Sequence, residues 1–252
     1  VKEAEVLFWV SDGAFDMRSQ SILRAFVKVL RAARVNFAVL GDEELDSGDL
    51  ARRLGDDATF QRLANSNIGT LGKYRFKQIV TTDPHAFHCL KNEYPDFYPE
   101  GQKPDYEVLH HTAFINALVK GHRLVLDRYK GGDVTYHDPC YLGRYNGEYN
   151  SPRELLAALG ISLKEMDRSG FRSRCCGGGG GAPVVDVPGE RRIADMRMDD
   201  ARRTGAALVA VGCQQCTAML EGVPEPRPEV KDIAELVADA LVDDDAERRP
   251  AA

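Results

Sequence analysis

The feature that most constrains how this chain folds is a spacing that occurs twice. Thirty-six residues separate Cys176 from Cys213, and thirty-six separate Asp46 from Asp83. Upstream, 34 residues lie between Cys140 and Cys175, and 32 between Asp12 and Leu45. Each mark stands at the end of an apolar run. "VTYHDPC" ends at Cys140 and "VLFWVSD" at Asp12; "ALVAVG" leads to Cys213 and Cys216, and "QIVTT" to Asp83 and Ala86. Three matches in register read as a duplication of one strand-rich unit. The expected domains are a first lobe near 1–125 and a second near 126–252.

Within each copy the apolar runs "VLFWV", "NFAVL", "QIVTT", "VTYHD" and "ALVAVG" read as short buried strands. Helical patterns separate them. In "SQSILRAFVKVLRAAR" the residues Ile22, Leu23, Phe26, Val27 and Leu30 recur at helical spacing, and "RRIADMRMDDARRTGA" stops at Gly205. This alternation predicts an α/β fold of two pseudo-symmetric lobes with mostly parallel sheets. The tail "EVKDIAELVADALVDDDAERRPAA" is expected to be a helix followed by a charged, frayed end.

A formal charge of -6 gives no general attraction to nucleic acid or to an anionic membrane surface. No apolar run approaches the roughly 18 residues that span a bilayer, and the opening "VKEAEVLFWV" lacks the layout of a secretory signal. The expected location is the cytoplasm, with any membrane association made through partners. The first residue is Val rather than Met, so it is not read as a natural start.

Five of the six cysteines form the pattern C-x34-CC-G-x35-CxxC: Cys140, Cys175, Cys176, Cys213 and Cys216. A disulfide framework belongs to small secreted chains, and this chain is neither. A structural zinc ion closes with four ligands, so a fifth thiolate would have no place on it. Iron–sulfur clusters are held by cysteine thiolates gathered from loops, and an irregular cluster can use more than four. The pattern therefore favours a cluster over zinc or a redox dithiol. In "CCGGGGGAP" the glycines let backbone approach such a cluster closely, adopt positive φ and point N–H groups at sulfur. A flexible linker is the alternative, as is a nucleotide loop, since Gly177, Gly179 and Ala182 formally satisfy G-x-G-x-x-A. No buried strand precedes that run, however.

The runs "HDPCYLGRYNGEYNSPRELL", "CCG" and "GCQQCTAML" resemble the cysteine-rich CCG domain of heterodisulfide reductase, which also occurs in iron–sulfur subunits of glycolate, lactate and glycerol-3-phosphate oxidoreductases. The resemblance covers nearly the whole chain. It implies a [4Fe–4S] cluster, noncubane in heterodisulfide reductase, bound by the five cysteines, and usually two copies of the motif. Within the family, "CCGGGGGAPVVDVPGERRIADMRMDDARRTGA" and "EVKDIAELVADAL" look most similar to the iron–sulfur subunit of bacterial dimethylglycine demethylase. The implied role is an electron-transfer subunit of a flavin-linked oxidoreductase. FAD or FMN would sit on a partner flavoprotein dehydrogenase, and electron-transfer flavoprotein or a quinone pool would be the acceptor.

The first half departs from the pattern. It reads "WVSDGAFD", "EELDSGD" and "TTDPHAF" where cysteines would stand, so its cluster site is vacated and paired-cluster heterodisulfide or thiol reduction is in doubt. Asp12, Asp46 and Asp83, with His85 and His88 just beyond, are candidates to hold a zinc or magnesium ion or a polar molecule such as a folate. The alternative is that these carboxylates simply hydrogen-bond to loop amides, leaving a structural or binding lobe. Cys89 reads as a packed thiol, His110 and His111 as capping or packing groups, Met196 and Met198 as core residues on a solvated helix, and Trp9 as core. His137 either tunes the cluster by hydrogen bonding or supports its turn. No Ser-His-Asp, P-loop or H-E-x-x-H arrangement is present.

Overall fold

A computed structural model describes residues 3–182 and 188–242. In the first lobe, β1 (Val6–Trp9) leads through a short 3-10 turn to α1 (Met17–Ala32), β2 (Phe37–Ala38), α2 (Asp49–Arg53), α3 (Asp57–Leu71), β3 (Gln78–Thr81), α4 (Pro84–His88), β4 (Glu107–His110) and α5 (His111–Lys120). The second lobe runs through β5 (Val134–His137), α6 (Asn150–Ala158), α7 (Ile193–Arg203), β6 (Leu208–Val211), α8 (Gln214–Glu221), β7 (Glu229–Asp232) and α9 (Ile233–Asp239).

The first lobe's sheet has the order β2-β1-β3-β4 and the second lobe's has β5-β6-β7. Every pairing within them is parallel. The copies correspond element by element: β5, β6 and β7 repeat β1, β3 and β4, and α8 and α9 repeat α4 and α5. The strands are short and wholly or largely buried, as expected of parallel strands covered on both faces by helices.

The α/β class, the parallel sheets and the two-lobe repeat are as the sequence predicts. Two strands are additions. The four-residue strands β4 and β7 are each followed at once by a helix, and "EVKD" is a strand where the tail reading expects helix throughout. Asp232 then caps α9 through a capping box with Glu235. The charged end from 243 onward lies outside the described residues.

The lobes share one apolar core. Val6, Phe8, Ile22 and Phe26 belong to the same buried cluster as Val134, Tyr136, Leu208 and Val237. α1 packs on α9 and α5 on α6, so each lobe covers part of the other's apolar face. Arg18 on α1 adds a polar clamp across this contact, donating to Glu221 at 2.7 Å and to both oxygens of Glu235 at 2.7 and 2.8 Å.

Candidate metal centre

Parallel α/β sheets place their working loops at the carboxyl ends of the strands, and here those ends face each other across the lobe boundary. Gln214, just after β6, donates to Thr82, just after β3. His111, just after β4, meets Asp232 at the end of β7 at 3.0 Å.

Three loops bring the five cysteines to this boundary. Cys140 follows β5, Cys175 and Cys176 open the glycine run, and Cys213 and Cys216 stand on and just inside the start of α8. Their side chains form one unbroken series of contacts: Cys140 to Cys175, Cys175 to Cys176, Cys176 to Cys216, and Cys216 to Cys213. None is in a disulfide. Backbone N–H groups already point at the sulfurs: Gly177 at Cys175 (3.3 Å), Gly178 at Cys176 (3.4 Å) and Cys216 at Cys213 (3.3 Å).

The thiols bias one another. Contacts with Cys140 and Cys176 hold Cys175 far below the ordinary thiol range, against burial, while the same contact with Cys175 pushes Cys140 up. Cys213 is lowered to about 7, first by Cys216 and then, against burial, by His85. Cys216 is raised by Cys176, Cys213 and burial. Five such groups cannot all ionise side by side without cations among them.

A metal-bearing group fits this donor set, and a single ion does not. Among the described residues the one trio whose ligand atoms all lie within 4.8 Å of one another is His137, Cys176 and Cys216. The sulfurs as a whole extend beyond the reach of one tetrahedral ion, as the ligands of a polynuclear cluster must. The glycines give it room. Gly177 takes φ +87°, and a Cβ on Gly178 would lie 3.0 Å from both Gln215 and Met219. The nucleotide-loop alternative finds no support, because the run continues from a 3-10 turn and bends rather than from a strand into a helix.

The vacated half is built on the same plan. Asp83 caps α4 by accepting from His85 N at 2.9 Å, as Cys213 caps α8. Asp83 is buried and also accepts from Ser11 Oγ at 2.8 Å. Asp46 accepts from Gly48 N at 2.6 Å, and Asp46 and Asp12 both keep an exposed side. The protein packed around Asp12, with the neighbouring Asp83 and Asp46, raises its pKa to about 6. These three aspartates do not converge closely enough with His85 to form a trio of ligand atoms like that around His137. They line, with Ser11, Gln214 and Gly181, a cavity of about 230 Å³ between the lobes.

His85 turns away from its supposed ligand partners. Its Nδ1 meets Asp49 Oδ2 at 2.8 Å, its ring stacks on Tyr141 at 4.0 Å between centroids, and it reaches Cys213 of the other lobe. Asp49 and Cys213 together outweigh burial and carry its pKa well above the usual imidazole range. His88 stands at 3.4 Å from Glu93, edge-on to Tyr141 and Tyr145. Cys89 is fully buried among first-lobe apolar residues, with its thiol pushed up by burial, and makes no contact with the five. Trp9 and Met198 are fully buried; Met196 is half-buried.

Sequence reasoning missed Asp49, which orients His85, and Glu44, whose carboxylate accepts from Val10 N (3.1 Å) and Ser11 N (2.6 Å). It also missed Arg197, a buried guanidinium bonded to His137. A buried arginine carries no local signal, because arginine on an amphipathic helix ordinarily faces water.

Among the described residues no helix is long and apolar enough to cross a membrane. The model of the family described as "Cysteine-rich domain", CCG, matches twice, over residues 6–91 and 134–221. The chain is 65% identical over 96% of its length to a protein of Chromohalobacter salexigens named "Probable membrane-anchored ferredoxin", covering 37% of that protein. It is 44% identical over 96% of its length to the Bacillus subtilis "Probable iron-sulfur-binding oxidoreductase FadF", covering 34% of it. It is 35% identical over 95% of its length to the "EtfAB:quinone oxidoreductase" of Syntrophomonas wolfei, covering 35% of it. The chain thus spans about a third of the length of these relatives. With both of its lobes matched by the family's model, the chain belongs to the cysteine-rich CCG domain family.

Proposed function

We propose that this chain is the iron–sulfur electron-transfer unit of a larger flavin-linked oxidoreductase, with a lobe near 1–125 that lacks the cluster cysteines and a cluster lobe near 126–252. The observation that carries the reading is the unbroken series of five reduced, mutually touching cysteine side chains at the lobe boundary. Cys140, Cys175, Cys176, Cys213 and Cys216 would hold a [4Fe–4S] cluster, of noncubane form where all five are used. Such a cluster supplies one-electron storage when bound. The protein's part is to hold the thiolates, exclude water and direct N–H groups at sulfur.

The printed names of the relatives support redox work, and one of them names electron-transfer flavoprotein and quinone as reactants. The substrate proposed for the whole complex is a methylated amine such as dimethylglycine. Its electrons would leave through FAD or FMN on a partner flavoprotein, pass this unit, and reach electron-transfer flavoprotein or a quinone pool. Association with the cytoplasmic face of a membrane through partners suits this role.

A second reading rests on the interlobe cavity: a binding lobe that takes a small ligand. At about 230 Å³ the space is below the ~300–1,000 Å³ of pockets for drug-sized ligands, so a whole folate does not fit within it. The spread of the aspartates also gives a bare ion no ready trio.

Anaerobic purification with iron and sulfide counting, followed by paramagnetic resonance of the reduced protein, tests the first reading. The expected product is brown, with about four irons per chain and a reducible signal. Zinc, disulfides or iron-free colourless protein would overturn it. A cluster that does not cycle when a co-purifying flavoprotein turns over would favour the binding lobe.

A further inference from the structure

His137 ends β5 and is completely buried. Its Nδ1 accepts a hydrogen bond from Arg197 Nε at 3.0 Å. Arg197 is itself completely buried and firmly held, its Nη1 donating to Arg168 O at 2.7 Å and its Nη2 to Ser173 Oγ at 3.1 Å. A guanidinium has only donors. His137 Nδ1 must therefore present its lone pair, and the neutral ring carries its hydrogen on Nε2. That nitrogen has no partner among the protein atoms. A ring nitrogen of His137 stands within 4.8 Å of the sulfurs of both Cys176 and Cys216. The chain has thus buried an N–H beside two cysteine sulfurs without giving it an acceptor, an arrangement that calls for an explanation.

We propose that His137 is a positioning residue which donates its Nε2–H to sulfur of the group held by the five cysteines, and that Arg197 sets the tautomer that makes this possible. The inference rests on the cluster reading above. It also separates His137 from the ligands. Coordination through Nε2 would require the ring to give up the hydrogen that Arg197 obliges it to keep there. Donation to sulfur stabilises the extra negative charge of the reduced state and so raises the reduction potential.

The test uses the chain purified anaerobically with its cluster and labelled with ¹⁵N-histidine. Pulsed paramagnetic resonance of the reduced wild-type protein should show a weak nitrogen coupling that disappears in His137→Leu. The reduction equilibrium of that variant should move roughly tenfold toward the oxidised form, a potential lower by ~59 mV for one electron. His137→Gln, which restores an N–H donor, should recover part of the shift. Arg197→Met frees the tautomer, should lower the potential in the same direction, and serves where His137→Leu fails to fold. A wild-type potential in iron-replete His137→Leu, or in iron-replete Arg197→Met where that is the variant available, overturns the inference, as does a strong coupling of the kind a metal-bound nitrogen gives. A wild-type chain that holds no iron overturns the parent reading and this inference with it.

Discussion

Cys89 and Cys213 carry the same side chain in opposite circumstances. Cys89 sits among Phe60, Phe87, Leu90 and Tyr94, with its thiol disfavoured from ionising by burial. Cys213 faces Cys216 and His85, which favour its thiolate. Substituting Cys89→Ala should leave the iron content unchanged and lower stability by about 1–2 kcal/mol, read from a denaturant titration. Cys213→Ser should lose most of the iron in the same preparation. The five-cysteine pattern was legible because few chemistries use five thiols at those intervals. Asp49, Glu44 and Arg197 were not, since a charged residue's role here depends on which element lies opposite it. The histidines illustrate the same limit. His85 was noticed for its neighbourhood to Asp83, yet its side chain bonds to Asp49, 36 residues away, and reaches Cys213 in the other lobe.

Between elements, the repeat shows how a loop changes chemistry while keeping its shape. Asp83 and Cys213 each end the approach to a short helix and accept a hydrogen bond from a nearby backbone N–H. A carboxylate can therefore replace a thiolate without disturbing the turn. The glycine run is less forgiving. Ala at Gly177 would be strained at φ +87° and would place its Cβ 3.0 Å from that of Ile193. Gly177→Ala should destabilise the protein by about 1–3 kcal/mol and hasten iron loss to a chelator. Gly179, with ordinary φ and open space around it, is the control and should tolerate Ala in the same assay. The strands β4 and β7 escaped the sequence reading for a physical reason. "EVLH" and "EVKD" are four residues long, partly charged and run directly into helices, so neither alternation nor an apolar run distinguishes them.

At the scale of the whole molecule, the duplication was legible from spacing alone, but the fusion of its halves was not. Residues from both sheets and from α1, α5, α6 and α9 enter a single apolar cluster. Two halves that share a core are expected to unfold together. Trp9 emission reports the first lobe and visible absorption of the bound cluster reports the second. Under anaerobic guanidinium titration the two signals should be lost at the same concentration. Two well-separated midpoints would show that the lobes are independent and that the shared core contributes little to cooperativity.

That fusion gives the first half an occupation. His85 and Thr82 reach across to Cys213 and to the neighbouring Gln214, so this repeat unit serves as a lid on thiolates that belong to the other. Were the halves to part, Cys213 would meet water and dissolved peroxide, and a thiolate so exposed starts down the path to sulfenic acid. Lacking cysteines at its own loop ends has not made the first lobe dispensable; it has made it armour.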